Sequence, residues 1–312
     1  MSQATAPQYP LVFSADSPLI AVYRTLERVL DNTTTILIEG ESGTGKDALA
    51  QWIHFQGPRR DNPYIKIDFA SLPDDLVESE LFGYERGAFT GATNAKIGKL
   101  DLAQNGTAVF DEVTNIDLGV QAKLLNVVES KQYYRLGGTR PIELDCRIIA
   151  LSSVPLATAV QGRIFRQDLF FRLNLITVCA PPLRDRRNEV FAIAEHLVSQ
   201  LERKFNRSMR LHPECRRVLE AYSFPGNIRE LRNGLERAMV LNAGAGITAD
   251  LLPASWLEPR LGGATMGSLE DMERKYIAEV LQHTHGRKVK AAKILGISRK
   301  TLLEKRKKYG LT

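Results

Sequence analysis

The sequence has few cysteines and no long hydrophobic run. Its three cysteines, Cys146, Cys179 and Cys215, lack metal-ligand spacing, which argues against a zinc site or a disulfide framework and favours reduced thiols. No apolar run is long enough to span a bilayer, and the first ten residues have neither a basic flank nor an apolar stretch. These absences argue against membrane insertion and export, and they predict a cytoplasmic protein.

Positive charge is concentrated at one end of the chain. Hydrophobic residues make up 44% of the 312 positions and charged residues 25%, as in a globular protein with a sizeable core. Residues 269–312 hold 12 of the 42 Lys and Arg but only 5 of the 36 Asp and Glu, which leaves 30 basic and 31 acidic residues elsewhere. A basic tail on a nearly neutral body predicts that only the tail meets a polyanion.

Short apolar runs alternate with helical patterns up to Pro181. This alternation predicts an α/β fold whose parallel sheet is covered on both faces. The predicted strands are Thr35–Glu39, Tyr64–Phe69, Thr107–Phe110, Arg147–Leu151 and Leu175–Ala180. After Pro181 and Pro182, helical periodicity from Glu189 to about Asn242 predicts a small helical domain, with Asn227 as a candidate N-cap.

A glycine-rich segment between the first strand and the next helix is typical of a phosphate-binding loop. Its glycines let backbone N–H groups turn toward a β-phosphate, and Lys46 brings a positive charge to the β- and γ-phosphates. Asp47 replaces the usual Ser or Thr, so the hydroxyl that commonly binds Mg²⁺ is missing. The predicted nucleotide-binding residues are Gly40, Glu41, Ser42, Gly43, Thr44, Gly45, Lys46 and Asp47.

Two adjacent carboxylates, Asp111 and Glu112, end the third predicted strand. The carboxyl edge of a parallel sheet lies beside the bound phosphates. We therefore expect Asp111 to hold Mg²⁺ and Glu112 to polarise an attacking water. A carboxylate that activates water favours hydrolysis over transfer to a substrate hydroxyl.

Arg166 and Arg172 lie six positions apart in a short segment. If the segment is helical, they lie on different faces, and one could neutralise a γ-phosphate bound to a neighbouring subunit. On spacing alone, a surface ion pair between Arg166 and Asp168 is at least as good an interpretation.

A second Gly/Ala-rich loop lies between the two halves of the nucleotide motif. With one aromatic side chain and one hydroxyl it has little to bury, so we expect it to contact a partner. The predicted contact residues are Gly87, Ala88, Phe89, Thr90, Gly91 and Ala92.

Residues 289–308 predict two helices joined by a tight turn. Gly296 permits the turn and Ser298 can cap the second helix, whose Leu302 and Leu303 are expected to point inward. Such a helix could enter a major groove, with basic residues facing out. The predicted DNA-binding residues are Lys290, Ser298, Arg299, Lys300, Thr301 and Lys305.

In these motifs the chain resembles the bacterial enhancer-binding proteins, AAA+ ATPases that activate the sigma-54 form of RNA polymerase. The matching strings are GESGTGKD, ESELFGYERGAFTGA, GTAVFDE, FRQDLFFRLN, PPLRDRRNEV and FPGNIREL. The resemblance implies an AAA+ parallel-sheet core with a helical lid and a C-terminal all-α helix-turn-helix domain of the Fis type. The expected domains are an N-terminal tail (1–14), the α/β subdomain (15–182), the lid (183–258), a flexible linker (259–268) and the DNA-binding domain (269–312).

The resemblance also implies roles for individual residues. Phe89 and Thr90 would lie at the tip of a mobile loop that grips sigma-54. Arg166 and Arg172 match arginines that act across a subunit interface, and Arg229 matches the second nucleotide sensor on the lid. The implied cofactors are ATP and Mg²⁺. The implied partners are sigma-54 RNA polymerase, double-stranded enhancer DNA and further subunits of a ring, usually a hexamer.

Two positions depart from the family pattern. Asp68 stands where an Asn usually restrains the catalytic Glu, and Ser153 stands where the first sensor is normally Asn. A carboxylate at Asp68 is expected to raise the pKa of Asp111 or Glu112. The shorter Ser153 should hold the γ-phosphate or water less well. These departures predict slow intrinsic hydrolysis, or help from a homologous subunit in a mixed ring.

Two alternative interpretations remain at this point. The chain could be a DNA-binding transcription factor with a weak or degraded ATPase that serves as a ring subunit, co-activator or repressor. A clamp-loader or protease-associated ATPase fits the nucleotide motifs but explains neither the second loop nor the tail. About 15 residues precede the ATPase, too few for a receiver domain, so we expect control by abundance or by a trans-acting regulatory protein.

Overall fold

The computed structural model describes residues 14, 16–242, 244, 246–257, 269–284 and 288–309. Contacts divide the chain into two compact units, Met1–Pro259 and Arg260–Thr312. The expected N-terminal tail before residue 14 and the expected linker (259–268) lie outside the described residues.

A five-stranded parallel sheet with helices around it forms the centre of the first unit, which confirms the predicted α/β class. The strand order is β2-β3-β6-β1-β7, and each predicted strand is present with its ends shifted by at most one residue. In chain order the elements are α1 Leu19–Glu27, β1 Ile36–Glu39, α2 Lys46–Gln56, β2 Tyr64–Asp68, α3 Asp74–Phe82, α4 Lys99–Leu102, β3 Thr107–Asp111, α5 Leu118–Ser130, β4 Gln132–Tyr133, β5 Ile142–Glu143, β6 Arg147–Ser152, α6 Leu156–Gln161, α7 Gln167–Leu173 and β7 Ile176–Cys179.

Alternate residues of the central strands enter two separate cores, one on each face of the sheet. Phe110 and Ile148 pack into one core, whereas Val109 and Ile149 pack into the other. Because successive side chains of a strand point to opposite faces, a strand buried on both faces must be apolar throughout. Because β3, β6 and β1 are neighbouring parallel strands, their carboxyl ends lie together at one edge of the sheet.

A helical lid follows the sheet within the same unit. Its elements are α8 Val190–Phe205, β8 Arg210–Leu211, α9 Cys215–Ala221, α10 Asn227–Leu241, β9 Gly246–Ile247 and α11 Ala254–Leu257. The predicted N-cap role of Asn227 is wrong, because α10 already begins at this residue. The N–H of Gly226 instead donates to Glu230 at 2.8 Å, and the Asn227 amide is used elsewhere.

In the second unit, the described residues form the helices α12 Leu269–His283, α13 Lys288–Ile294 and α14 Arg299–Tyr309. Leu302 is fully buried and the hydroxyl of Ser298 accepts the N–H of Thr301 at 3.0 Å, as the predicted helix-turn-helix requires. The predicted inward position of Leu303 is wrong, since this side chain is 43% exposed. The buried stripe of α14 runs through Leu302 and Tyr309 at helical spacing, and Leu303 lies beside it.

Candidate functional site

The phosphate-binding loop connects β1 to α2 and is shaped by its glycines. Gly43 and Gly45 have φ values of +79° and +100°, in the left-handed region that favours glycine. Lys46 begins α2, and its Nζ donates to the carbonyl oxygens of Gly40 and Glu41 at 2.7 and 3.2 Å. Burial lowers the pKa of Lys46, although the nearby carboxylates oppose this effect. The ammonium is therefore held at the mouth of the loop, where phosphates would lie.

The lid is bonded directly to this loop. The Asn227 amide donates to Glu41 Oε2 at 3.2 Å and to the Ser42 carbonyl at 3.0 Å. Arg184 donates twice to the Glu41 carboxylate, at 2.7 and 2.8 Å, and with Asn227 it lowers the pKa of Glu41 to about 2. Arg229, predicted as a nucleotide sensor, donates to the Ser42 hydroxyl. The lid thus contacts the loop that would surround the nucleotide.

A cavity of about 500 Å³ lies between the loop and the lid. One end is lined by apolar side chains of α1 and α8, among them Leu19, Ile193 and Leu197. The other end is lined by the phosphate-binding loop and by a group of polar residues, Asp68, Asp111, Glu112, Ser153 and Arg229. An apolar end joined to a polar, N–H-rich end suits a nucleotide, whose base and phosphates differ in the same way.

Glu112 and Ser153 are joined at the polar end of this cavity. The hydroxyl and N–H of Ser153 both donate to Glu112 Oε2, at 2.6 and 3.1 Å. Glu112 has φ and ψ of +53°, a left-handed conformation that is unfavourable for a residue with a Cβ. Its Oε1 lies 3.9 Å from Lys46 Nζ. The carboxylate is therefore fixed from two sides beside the phosphate-binding lysine.

Asp68 bonds to its own turn and does not contact Glu112 through a hydrogen bond that the structure shows. Its carboxylate accepts the N–H of Ala70 at 3.0 Å in the turn after β2. The pKa of Asp111 is raised, but the principal cause is burial, and Asp47 is a like charge that raises it further. The expected rise in the pKa of Asp111 therefore comes from burial and from Asp47 rather than from Asp68. The residue that restrains Glu112 is Ser153.

Lys66 is a site residue that the sequence analysis missed. Its Nζ lies 2.5 Å from Asp47 Oδ1 and 2.7 Å from Asp111 Oδ2. A signal was available, because Lys66 is a charged residue within a mostly apolar strand, two positions before Asp68 and thus on the same face. The oxygen set of Asp47 and Asp111 is one that Mg²⁺ accepts, so the residues present fit this cation.

Arg166 and Arg172 both bind carboxylates of their own chain. Arg166 precedes α7 and donates to Asp168 at 2.7 and 3.1 Å, which is the ion pair considered from the sequence. Arg172, near the end of α7, donates to Glu129. The two guanidinium groups are exposed enough to exchange these partners for others, so their role across a subunit interface stays a prediction.

The loop at residues 87–92 projects from a short bridge between Tyr84 and Lys96. The N–H of Gly87 donates to the Ala92 carbonyl at 2.8 Å, which closes the base of the loop. Phe89 is 48% exposed, with its ring edge-to-face against Tyr84 at 5.0 Å, and Thr90 is exposed. Ala92, a predicted contact residue, is 5% exposed and therefore belongs to the base of the loop rather than to its tip.

The predicted DNA-binding residues fall into two groups. Arg299 and Lys300 are exposed at the start of α14, and Lys290 is exposed on α13. Lys305 is half-exposed and lies 2.6 Å from Glu273 of α12, so its contact with DNA stays a prediction that requires exchange of this partner. Thr301 is half-buried beside Ser298, whose hydroxyl lies 2.7 Å from that of Thr301.

Three segments of the chain match known protein families. Residues 12–179 match the sigma-54 interaction domain, residues 184–266 match the AAA+ ATPase lid domain, and residues 268–309 match the bacterial regulatory proteins of the Fis family. The first match alone covers more than half of the chain. None of the helices in the described part of the chain has the length and apolar composition of a bilayer span.

Several known proteins align with nearly the whole of this chain. Regulatory protein AtoC of Escherichia coli is 37% identical over 99% of this chain and 69% of its own length. The nitrogen fixation protein VnfA of Azotobacter vinelandii is 38% identical over 96% of this chain and 59% of its length. The transcriptional regulator NtrC of Klebsiella pneumoniae is 37% identical over 93% of this chain and 68% of its length.

Solved structures of NtrX from Brucella abortus superpose on the chain. One has a TM-score of 0.74 at 31% identity and covers 96% of this chain and 69% of that chain. Its complex with ATP has a TM-score of 0.73 and covers 97% of this chain and 70% of that chain. Together with the family matches, these similarities confirm the predicted resemblance: the chain belongs to the sigma-54-dependent transcriptional activators, with an AAA+ ATPase domain and a Fis-type helix-turn-helix.

Proposed function

We propose that this chain binds enhancer DNA, assembles into a ring and uses ATP hydrolysis to open a promoter complex held by sigma-54 RNA polymerase. The observation that carries the proposal is the convergence of Lys46, Asp111 and Glu112 on one cavity, with an exposed aromatic loop in the same unit. Nucleotide chemistry and partner contact are thereby combined in one unit of the chain.

In this proposal the nucleotide binds with its base at the apolar end of the cavity and its phosphates at Lys46. The N–H groups of the loop and the start of α2 stabilise the phosphate charge. Asp111 is the residue that would hold Mg²⁺, with Asp47 beside it. The cation, when bound, neutralises charge on the β- and γ-phosphates.

Hydrolysis in this proposal depends on Glu112, which orients and polarises the attacking water as a general base. Ser153 fixes one oxygen of its carboxylate, leaving Oε1 on the side of Lys46. Arg229 reports from the lid whether the loop is occupied. Arg166 and Arg172 are proposed to leave Asp168 and Glu129 and to reach the γ-phosphate of a neighbouring subunit in the ring.

The energy of hydrolysis is proposed to move the loop at residues 87–92 against sigma-54. Phe89 and Thr90 form its exposed tip, and Gly87 and Gly91 supply the backbone freedom on either side. DNA binding is assigned to the start of α14, where Arg299 and Lys300 are exposed. Binding through such residues should weaken steeply with salt, because phosphate contacts release counterions.

The proposal is tested by open-complex formation on a sigma-54 promoter that carries enhancer sites. We expect melting with ATP and none with a non-hydrolysable analogue. Repression that is indifferent to ATP would instead support a DNA-binding factor with a degraded ATPase.

A chain truncated after Glu258 should hydrolyse ATP but lose enhancer binding in a gel-shift assay. Retained enhancer affinity would contradict the assignment of DNA binding to the tail.

A further inference from the structure

The ammonium of Lys66 lies between two carboxylates at the edge of the nucleotide cavity. It is within hydrogen-bond distance of Asp47 in the first turn of α2, at 2.5 Å, and of Asp111 at the end of β3, at 2.7 Å. The three residues come from three different elements of the sheet edge. Their meeting is therefore a product of the fold and does not follow from closeness in sequence.

Electrostatics explain why a cation is needed at this point. The Asp111 side chain is only 13% exposed, and Asp47 and Glu112 both add negative charge nearby. Like charges at short range in a partly dry site destabilise one another unless a cation lies between them. The ammonium of Lys66, in contact with both Asp47 and Asp111, supplies that cation.

The same two carboxylates are the protein ligands available to a divalent cation. Among the described residues, no group of three or more His, Cys, Asp or Glu is arranged to hold a metal. A site with one or two carboxylates suits Mg²⁺ when substrate phosphates supply further ligands. Without nucleotide, an incoming cation must compete with a covalently attached ammonium for the oxygens of Asp47 and Asp111.

We propose that Lys66 is a built-in counter-ion that keeps divalent cations out of the site until nucleotide phosphates arrive. The cation then binds together with the nucleotide, and Lys66 gives up its contact with Asp111. The inference rests on the proposed ATPase function only in that the cation accompanies ATP. Its test needs neither hydrolysis nor sigma-54, so the inference about Lys66 and the proposed function can fail separately.

The test is a titration of the full chain with Mn²⁺ in the absence of nucleotide. The EPR signal of free Mn²⁺ measures how much of the metal remains unbound. We expect weak binding to the unmodified chain and to Lys66→Arg, which keeps the positive charge. Lys66→Met should bind one Mn²⁺ at least about tenfold more tightly, because two carboxylates then lack their cation. Lys66→Met combined with Asp111→Asn should lose this gain. Lys123→Met is the matched control, since Lys123 pairs with Glu78 at 2.6 Å outside the cavity.

Thermal unfolding provides a second measurement that does not require a well-behaved metal titration. In chelator, Lys66→Met should unfold at a lower temperature than the unmodified chain, and millimolar Mg²⁺ should raise its midpoint more than that of the unmodified chain. If Lys66→Met is too unstable to purify, Lys66→Gln is measured in the same way. Equal Mn²⁺ affinity with and without the lysine charge overturns the proposal, as does tight nucleotide-free binding to the unmodified chain.

Discussion

The phosphate-binding loop and the projecting loop are both rich in glycine, yet their glycines have different surroundings. A methyl group on Gly40 would lie 2.6 Å from the Ala180 carbonyl oxygen, and one on Gly43 would lie 2.5 Å from that of Gly226. At Gly87 and Gly91 a methyl group would meet no heavy atom of the described residues within 4 Å, apart from chain neighbours. The first loop is packed into the fold, whereas the second is free to project.

This difference separates two demands that a single chain must meet. Chemistry on phosphates requires groups held in fixed positions, as Ser153 holds Glu112. A loop that moves against a partner protein requires a tip with few contacts to the rest of its own chain. Changes in the first loop should therefore affect folding and nucleotide chemistry, whereas changes to the exposed side chains of the second loop should affect contact with the partner.

The largest effect is expected from Glu112→Gln. The amide keeps the size of the side chain but cannot act as a base, so the rate of ATP hydrolysis should fall by about 10²–10⁴-fold. Nucleotide affinity should change little, because Lys46 and the loop remain. Steady-state hydrolysis and equilibrium binding of a fluorescent ATP analogue measure the two quantities. Near-normal hydrolysis in this variant would remove Glu112 from its proposed role.

Gly43→Ala and Gly87→Ala compare the two loops directly. Both residues have positive φ, so a side chain costs each about 1–2 kcal/mol. Only at Gly43 does the new methyl group also meet the backbone of Gly226, which adds about 1–3 kcal/mol of overpacking. Urea unfolding should therefore show a greater loss for Gly43→Ala, together with weaker ATP binding. Equal losses for the two variants would mean that the lid does not close on the loop.

Ser153→Ala should have a smaller effect on hydrolysis. It removes the 2.6 Å hydrogen bond to Glu112 but leaves the backbone N–H bond at 3.1 Å. We expect kcat to fall by about tenfold with KM unchanged, since Ser153 acts through Glu112 and not on the nucleotide. In a double-mutant cycle with Glu112→Gln the effect should vanish. Independent, additive effects would show that Ser153 contacts the phosphate itself.

The smallest effect is expected at the link between Arg184 and Glu41. Binding to Arg184 and Asn227 lowers the pKa of Glu41 to about 2 from an ordinary value of 4.5. Because the folded pKa is the lower one, this contribution to stability is present above pH 4.5 and is lost as the pH falls toward 2. Both side chains are partly exposed, so we expect Arg184→Ala to reduce the free energy of unfolding by less than about 1 kcal/mol at pH 7.

Urea unfolding of Arg184→Ala and the unmodified chain at several pH values checks this link. The difference between the two should decrease below pH 4.5 and in high salt, which screens exposed charges. A difference that is constant from pH 7 to pH 3 would show that Arg184 stabilises the chain through packing and not through Glu41.

The strands and the phosphate-binding loop could be predicted from the sequence because their signals are local. A strand buried on both faces is apolar throughout, and a loop that surrounds phosphates needs glycine and lysine at fixed spacing. Glu112 could be placed for the same reason, since a strand delivers its last residues to a known edge of the sheet.

Pairings between distant residues could not be predicted in this way. The ion pair between Lys305 and Glu273 joins two helices separated by a turn and a third helix, and no local pattern in the sequence indicates it. Ser153 and Glu112 are separated by 41 positions, so only the order of β3 and β6 in the sheet reveals their contact. Arg184 and Glu41 are 143 positions apart, so their ion pair can be recognised only once the position of the lid is known.

The central claim is that hydrolysis in one cavity moves a separate loop against sigma-54. Its most direct test is promoter melting by Phe89→Ala, with ATP hydrolysis measured in the same preparation and Phe205→Ala, an exposed aromatic on α8, as the control. The account predicts hydrolysis within about twofold of the unmodified chain and melting reduced at least about tenfold, with the control unaffected. Melting that is unchanged at equal hydrolysis would contradict it.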